Sequence, residues 1–218
     1  MKILIYLLLL VIFTSCDQQP KSSSSLSGSE TDTVGKTNER DSDELEVSLN
    51  SPGAIQLEYT AITGGIAKGS LDSVAFKYNC NNEKGGTVTS FSENGVLRML
   101  RHSYHEYDHY EATVEYFVKD SLLFFVFSKE LSWSFDSNAP ETGGTKDNIT
   151  EKRMYIVNQQ VVKCLEKKYV TYSYKKSNPL PEKVANQEVK CASLHPVQEK
   201  YEVLLRFVKE GGKGCPVD

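Results

Sequence analysis

The chain has 218 residues, with 25 Lys and Arg against 29 Asp and Glu and a formal net charge of −4. That length suits one domain of moderate size with a tail, and 39% apolar with 25% charged residues excludes a largely membrane-embedded or fibrous chain. The slightly acidic balance argues against a general nucleic-acid binder, which needs a basic face.

Lys2 precedes an unbroken apolar run from Ile3 to Phe13. Eleven residues are too few to cross a bilayer as a helix, which takes about 20. A positive start, a short apolar core and small residues behind it predict a secretory signal over residues 1–15. Thr14-Ser15-Cys16 follows. Two small residues directly before a cysteine resemble the lipobox of bacterial lipoproteins, with Phe13 where that family usually has Leu or Val. The resemblance implies cleavage before Cys16, acylation of that cysteine with two or three chains (palmitate-type), and a membrane partner through those chains. Each buried methylene contributes ~0.8 kcal/mol, so several chains hold a protein firmly where one holds it weakly.

Residues 16–53 read as a tether. Beyond Cys16 the stretch contains Ser22-Ser23-Ser24-Ser25, no aromatic residue, and eight acids against three bases. It buries too little apolar surface to offset its ordering entropy, so disorder is expected. The remainder, 54–218, has 21 acids and 21 bases. The acidity therefore belongs to the tether, as a solvated spacer. Acidic residues near the anchor also serve as export signals in surface lipoproteins of Bacteroidetes. The signal, the Ser-rich tether and the aromatic hairpins beyond it look like the small envelope lipoproteins of that phylum, which implies a cell-envelope location. The outer membrane is the expected one, although Asp17 beside the anchor retains lipoproteins in the inner membrane of some bacteria.

A single β-rich domain is expected over 54–218. Val74, Phe76 and Tyr78 alternate with polar or small residues, as in a half-buried strand, and Lys84-Gly85-Gly86 predicts a turn. Three apolar–turn–apolar units follow, centred on Asn94-Gly95, Lys119-Asp120-Ser121 and Asn158-Gln159. Asn94-Gly95 is the strongest of these turns, because both residues tolerate positive φ. Offsets of 26 and 39 residues exclude a regular solenoid, leaving an antiparallel meander of hairpins. Residues 122–127 do not alternate, which predicts a central strand covered on both faces. Val197, Tyr201, Leu204, Leu205 and Val208 fall on one helical face after Pro196 and before Gly211-Gly212. A second helix is expected near 182–192. The predicted fold is mainly β (α+β): a curved antiparallel meander, with closure into a small barrel as an option, and a C-terminal amphipathic helix packed on the sheet.

Five cysteines leave four once Cys16 carries lipid: Cys80, Cys164, Cys191 and Cys215. An envelope compartment permits oxidation, and four cysteines allow two disulfides in three connectivities that spacing does not decide. Cys80–Cys164, linking two strands, and Cys191–Cys215, pinning the tail, is the expected arrangement.

Three of the four histidines lie between Arg101 and Tyr110. Helical spacing would bring two of them onto one metal, but the stretch reads as a polar, Tyr-rich crossover between strands, and in an extended strand His105 and His109 sit ~13 Å apart. Tyr104, His105, Tyr107, His109 and Tyr110 are instead the candidate docking surface for a protein or glycan. Leu131, Trp133 and Phe135 share a face and read as core. Residues 140–150, with Gly143-Gly144, read as a loop that matches no phosphate-binding motif, and no Gly-x-Ser-x-Gly elbow is present. Asp32-Thr33-Val34, Asp72-Ser73-Val74 and Asp120-Ser121-Leu122 resemble the Bacteroidetes O-glycosylation motif, which marks Thr33, Ser73 and Ser121 as candidate acceptors; Asp-Ser is also an ordinary turn pair. No metal and no cofactor are expected. The sequence leans away from an enzyme and toward a lipid-anchored binding or structural domain. The rivals are an envelope hydrolase using His102 to His109 and an inhibitor or immunity protein.

Overall fold

The computed structural model describes residues 48–216. Eight strands form one antiparallel sheet in strict chain order, from β1 (Asp72–Cys80) through β2 (Lys84–Glu93), β3 (Val96–Glu106), β4 (Tyr110–Lys119), β5 (Leu122–Phe135), β6 (Thr145–Val157) and β7 (Gln160–Tyr172) to the two-residue β8 (Gln187–Glu188). The meander is the expected one. The barrel is not formed: β1 and β8 are the edges of an open sheet.

The three repeated units are three hairpins of one design. Asn94-Gly95, Asp120-Ser121 and Asn158-Gln159 each put both central residues at positive φ, between 48° and 78°, the turn whose twist matches that of its flanking strands. In each hairpin the third residue of the returning strand (Arg98, Phe124, Val162) is a bulge with no cross-strand partner. The bulge resets the side-chain alternation. Phe124 and Phe125 consequently both face one side of β5, while Leu123 and Val126 face the other. That is how 122–127 stays apolar on both sides.

Two helices supply the covers. α2 (His195–Lys209) is the expected C-terminal helix. Tyr201 and Leu204 of its stripe are buried, together with Phe207, which completes the stripe, over Tyr78, Val88, Leu100, Tyr116, Val126 and Ile156. α1 (Pro52–Lys68) was not foreseen. It begins within the stretch read as tether, with the Ser51 hydroxyl accepting from the Ala54 amide and Pro52 in the first turn; its C-cap Gly69 is left-handed at φ 69°. Ile55 and Ile62 are buried on the opposite sheet face against Phe91, Met99, Phe117, Phe125 and Tyr155. Glu58 pairs with the bulged Arg98, which also holds Glu93 at 2.7 Å.

The loops differ from expectation in four places. Lys84-Gly85-Gly86 belongs to β2, and the turn is Asn81-Asn82-Glu83, whose asparagines take positive φ. The crossover expected across 101–110 is continuous strand on both sides of a three-residue turn, Tyr107 to His109. Residues 145–150 start β6, so the loop is confined to 136–144. In place of a helix near 182–192 stand a 3-10 turn (Pro181–Lys183) and β8. This segment crosses the α1 side of β6 and β7, where a buried charge cluster holds it. Glu151 (5% exposed) accepts from Lys167 (7%), Arg153 and Tyr169, each at 3.1 Å. Lys167 donates onward to the Pro181 carbonyl, and Arg153 to the Asn186 side chain, both at 2.8 Å. Burial pushes the Glu151 carboxyl up, and these donors outweigh burial and hold it below its ordinary value.

The disulfides correct the expected pairing: Cys80 bonds Cys215 and Cys164 bonds Cys191, with Cα separations of 5.9 and 5.3 Å. Cys80 on β1 and Cys164 on β7 are six strands apart in an open sheet, roughly 29 Å at the usual strand spacing, beyond any disulfide. Cys80–Cys215 ties the tail beyond α2 to one edge strand, and Cys164–Cys191 ties the segment leading into α2 to a strand near the other edge. The covering helix is thus fastened at both ends.

Candidate functional site

Beneath the N-terminal half of α2 the sheet and the helix part to leave a groove. Tyr104 and His102 of β3 line its floor, and positions on β1 and β2 support them from behind. Tyr78, Gly86 and Tyr104 are in register. A side chain at Gly86 would meet the Ser103 carbonyl at 2.5 Å, the Tyr104 Cβ at 2.9 Å and the Tyr78 hydroxyl at 2.9 Å. The glycine therefore marks a strand position over which two tyrosines lean. Because the site is empty of a side chain, the Tyr78 hydroxyl reaches diagonally to His102 Nε2 at 2.7 Å. The His102 ring stacks on Tyr104 at 4.6 Å, and Lys84 lies 4.8 Å over the Tyr104 ring while pairing with Glu106 at 2.7 Å.

His102 is 6% exposed. Burial, reinforced by the positive charges of Lys84 and Lys200, brings its pKa down from 6.5 to about 4. The imidazole is neutral at pH 7. Burial, with smaller contributions from Tyr104 and Glu106, pushes the Tyr78 phenol up to about 12, and burial raises Tyr110 and Tyr116 as well. His102 and Tyr116 therefore line the groove as neutral rings, an imidazole and a phenol.

The groove has two connected parts. The smaller, about 210 Å³, lies between Lys84, His102 and the α2 residues Lys200, Val203 and Leu204. The larger, about 450 Å³, runs over Val126, Ser128 and Met154 toward Val189, Lys190 and Ala192, the segment that Cys164–Cys191 pins. Tyr104, Val114, Tyr116 and Lys200 line both. A concave, mainly apolar volume with a few polar groups is the usual form of a small-molecule site. Its charge is one-sided. Lys84, Lys152, Lys190 and Lys200 line it against Glu130 and Glu166, in a domain whose acids and bases balance overall.

The alternation of β3 distributes the expected docking residues. Tyr104 and Tyr110 are on the α2 side, with ring centroids 6.1 Å apart; His105 is exposed, beside Gly85 on the other side; Tyr107 and His109 are in the turn. The three histidines are likewise separated, and among the described residues no group of three or more His, Cys, Asp and Glu is placed to hold a metal. Trp133 is not core. It is half-buried, packs on His109 at 4.1 Å and on the 69% exposed Phe135, and belongs to neither hydrophobic cluster. Its indole N–H donates to the Asp108 carbonyl, so it braces the β3–β4 turn. Ser73 lies exposed on β1 and Ser121 exposed in a hairpin turn. Cys16 and Thr33 lie outside the described residues.

Sequence reading missed the groove because its parts come from β2 to β7 and α2, and no local pattern joins them. Gly86 within an otherwise strand-like stretch was the available signal. Compared with protein-family models, curated proteins and solved structures, the chain matches none of them.

Proposed function

We propose that this chain is a lipid-anchored cell-envelope protein, held through acyl chains on Cys16 and expected at the outer membrane, whose folded domain binds a ligand or envelope partner without transforming it. The observation that carries the binding reading is the groove beneath α2: an apolar, aromatic-floored volume with excess positive charge, walled by a segment that a disulfide holds in place. Its buried imidazole is neutral and hydrogen-bonded to a phenol, an arrangement suited to shaping a surface. The sequence supports the anchor through Lys2, the apolar run to Phe13, and Thr14-Ser15-Cys16.

Native mass spectrometry of the full chain from its own membranes tests the binding reading. The wild type is expected to carry a bound species that is absent from Ala192→Trp, which fills the groove from an exposed rim position. Equal occupancy of both proteins, or none in either, would count against the groove.

A further inference from the structure

We infer that the ligand of this groove is a free long-chain fatty acid, its chain lying along the sheet and its carboxylate at Lys200. The inference rests on the reading of the groove as the binding surface and adds the chemistry of what fills it.

The body of the site selects for an alkyl chain. Val114, Tyr116, Val126, Met154 and Val197 line a space of about 450 Å³ that crosses β4, β5 and β6 and adjoins, at Tyr104, a further 210 Å³ or so. Taken together, the two parts fall in the range that encloses a small molecule. The groove lies on the face of the sheet, where backbone donors and acceptors are spent on neighbouring strands. It therefore offers no ladder to an extended peptide, whose affinity comes from such hydrogen bonds.

The head of the site selects for an anion. Lys200 lines both parts of the groove, at their junction. Lys84 pairs with Glu106 and Lys152 with Glu130, whereas among the described residues Lys200 and Lys190 have no carboxylate within 4.0 Å. Two unneutralised ammonium groups beside an apolar wall complement a ligand with one negative end, and a carboxylate satisfies a lysine by a charge-assisted hydrogen bond. A compact anion would leave the apolar wall unused, and an uncharged lipid would leave the lysines unanswered.

The full chain is labelled in its membranes with a hexadecanoic acid bearing a diazirine, and the adducts are mapped by peptide mass spectrometry. Adducts are expected on the peptides carrying Tyr104, Met154 and Val197, displaced by excess palmitate and far less by hexadecanol or a lysophosphatidylcholine. Lys200→Gln, an exposed change, should cut this labelling about tenfold, the loss of one hydrogen bond to a charged group; Ala192→Trp should abolish it. Displacement by hexadecanol as strong as by palmitate, or labelling indifferent to Lys200, would overturn the fatty acid. Preferential displacement by the lysophospholipid would replace the free acid with a membrane lipid. An uncharged diazirine alkane separates the two levels of the reading. If it labels the wild-type groove while palmitate does not compete, the ligand is wrong and the groove stands. If it labels wild type and Ala192→Trp alike, the groove itself fails.

Discussion

Acidification should strip stability from this domain through one residue, His102. A histidine whose folded pKa lies below its unfolded value binds fewer protons in the folded state. The stability it is associated with is fully present above pH 6.5 and is lost as pH falls toward 4. With 6.5 for the unfolded chain and about 4 for the buried ring, complete loss amounts to about 3 kcal/mol, and at pH 5 to about 2 kcal/mol. The source is burial of the ring, which stacks on Tyr104 and is hydrogen-bonded to Tyr78, with the positive charges of Lys84 and Lys200 adding to it. Urea unfolding of the full chain at pH 7 and pH 5, compared with His102→Gln, isolates this contribution. Gln has no titrating group and keeps an amide for Tyr78. The wild type should lose about 2 kcal/mol more than the variant between the two pH values. The Glu151 carboxyl, held below its ordinary value of 4.5, loses its contribution only at lower pH. NMR titration of the imidazole gives a direct reading. A His102 resonance titrating near 6.5, or equal pH sensitivity of both proteins, would refute the buried neutral ring.

Further outcomes follow from packing and from the cross-links. Peptide mapping of the unreduced protein should return Cys80–Cys215 and Cys164–Cys191; a Cys80–Cys164 peptide would require a closed sheet. Loop closure over 27 residues makes removal of Cys164–Cys191 by paired Cys→Ala changes cost about 3–4 kcal/mol, and closure over 135 residues makes loss of Cys80–Cys215 cost about 5 kcal/mol. Ile62→Ala, at a position 3% exposed beneath α1, should cost about 2–5 kcal/mol in urea unfolding; a change within 0.5 kcal/mol would mean that α1 is not part of the core. Glu151→Gln leaves Lys167 buried and uncompensated and should cost about 3 kcal/mol by the same assay.

The meander was legible because its turns are local chemistry. Asn94-Gly95, Asp120-Ser121 and Asn158-Gln159 need left-handed residues between apolar strands, and a sequence states that directly. The run at 122–127 announced two covers, and the Val197 to Val208 stripe supplied one. The other was also written in the chain. Ser51-Pro52 starts α1, Ile55, Tyr59, Ile62 and Ile66 fall on one face, and Gly69 stops it. Composition hides it, because the Ser- and acid-rich character of residues 17–50 runs on across Ser51. Gly85-Gly86 misled for a different reason. Glycine usually marks a turn, and here it clears space for rings from neighbouring strands, a tertiary demand with no local signature. Trp133 misled because alternation reports which residues share a face and not whether that face is covered; α1 stops short of it. The disulfide pairing depends on the sheet being open, which no spacing reveals. The groove shares this character: Lys84, His102, Val126, Met154 and Lys200 become neighbours only once seven strands are ordered and α2 is fastened over them.

The intact mass of the native protein tests most directly whether this binding domain is anchored in the envelope. The protein would be extracted from membranes in detergent and measured with and without reduction and alkylation. The expected result is the mass of residues 16–218 plus acyl chains, with the four other cysteines protected until reduction. The mass of an unacylated chain, with Cys80, Cys164, Cys191 and Cys215 open to alkylation, would contradict it.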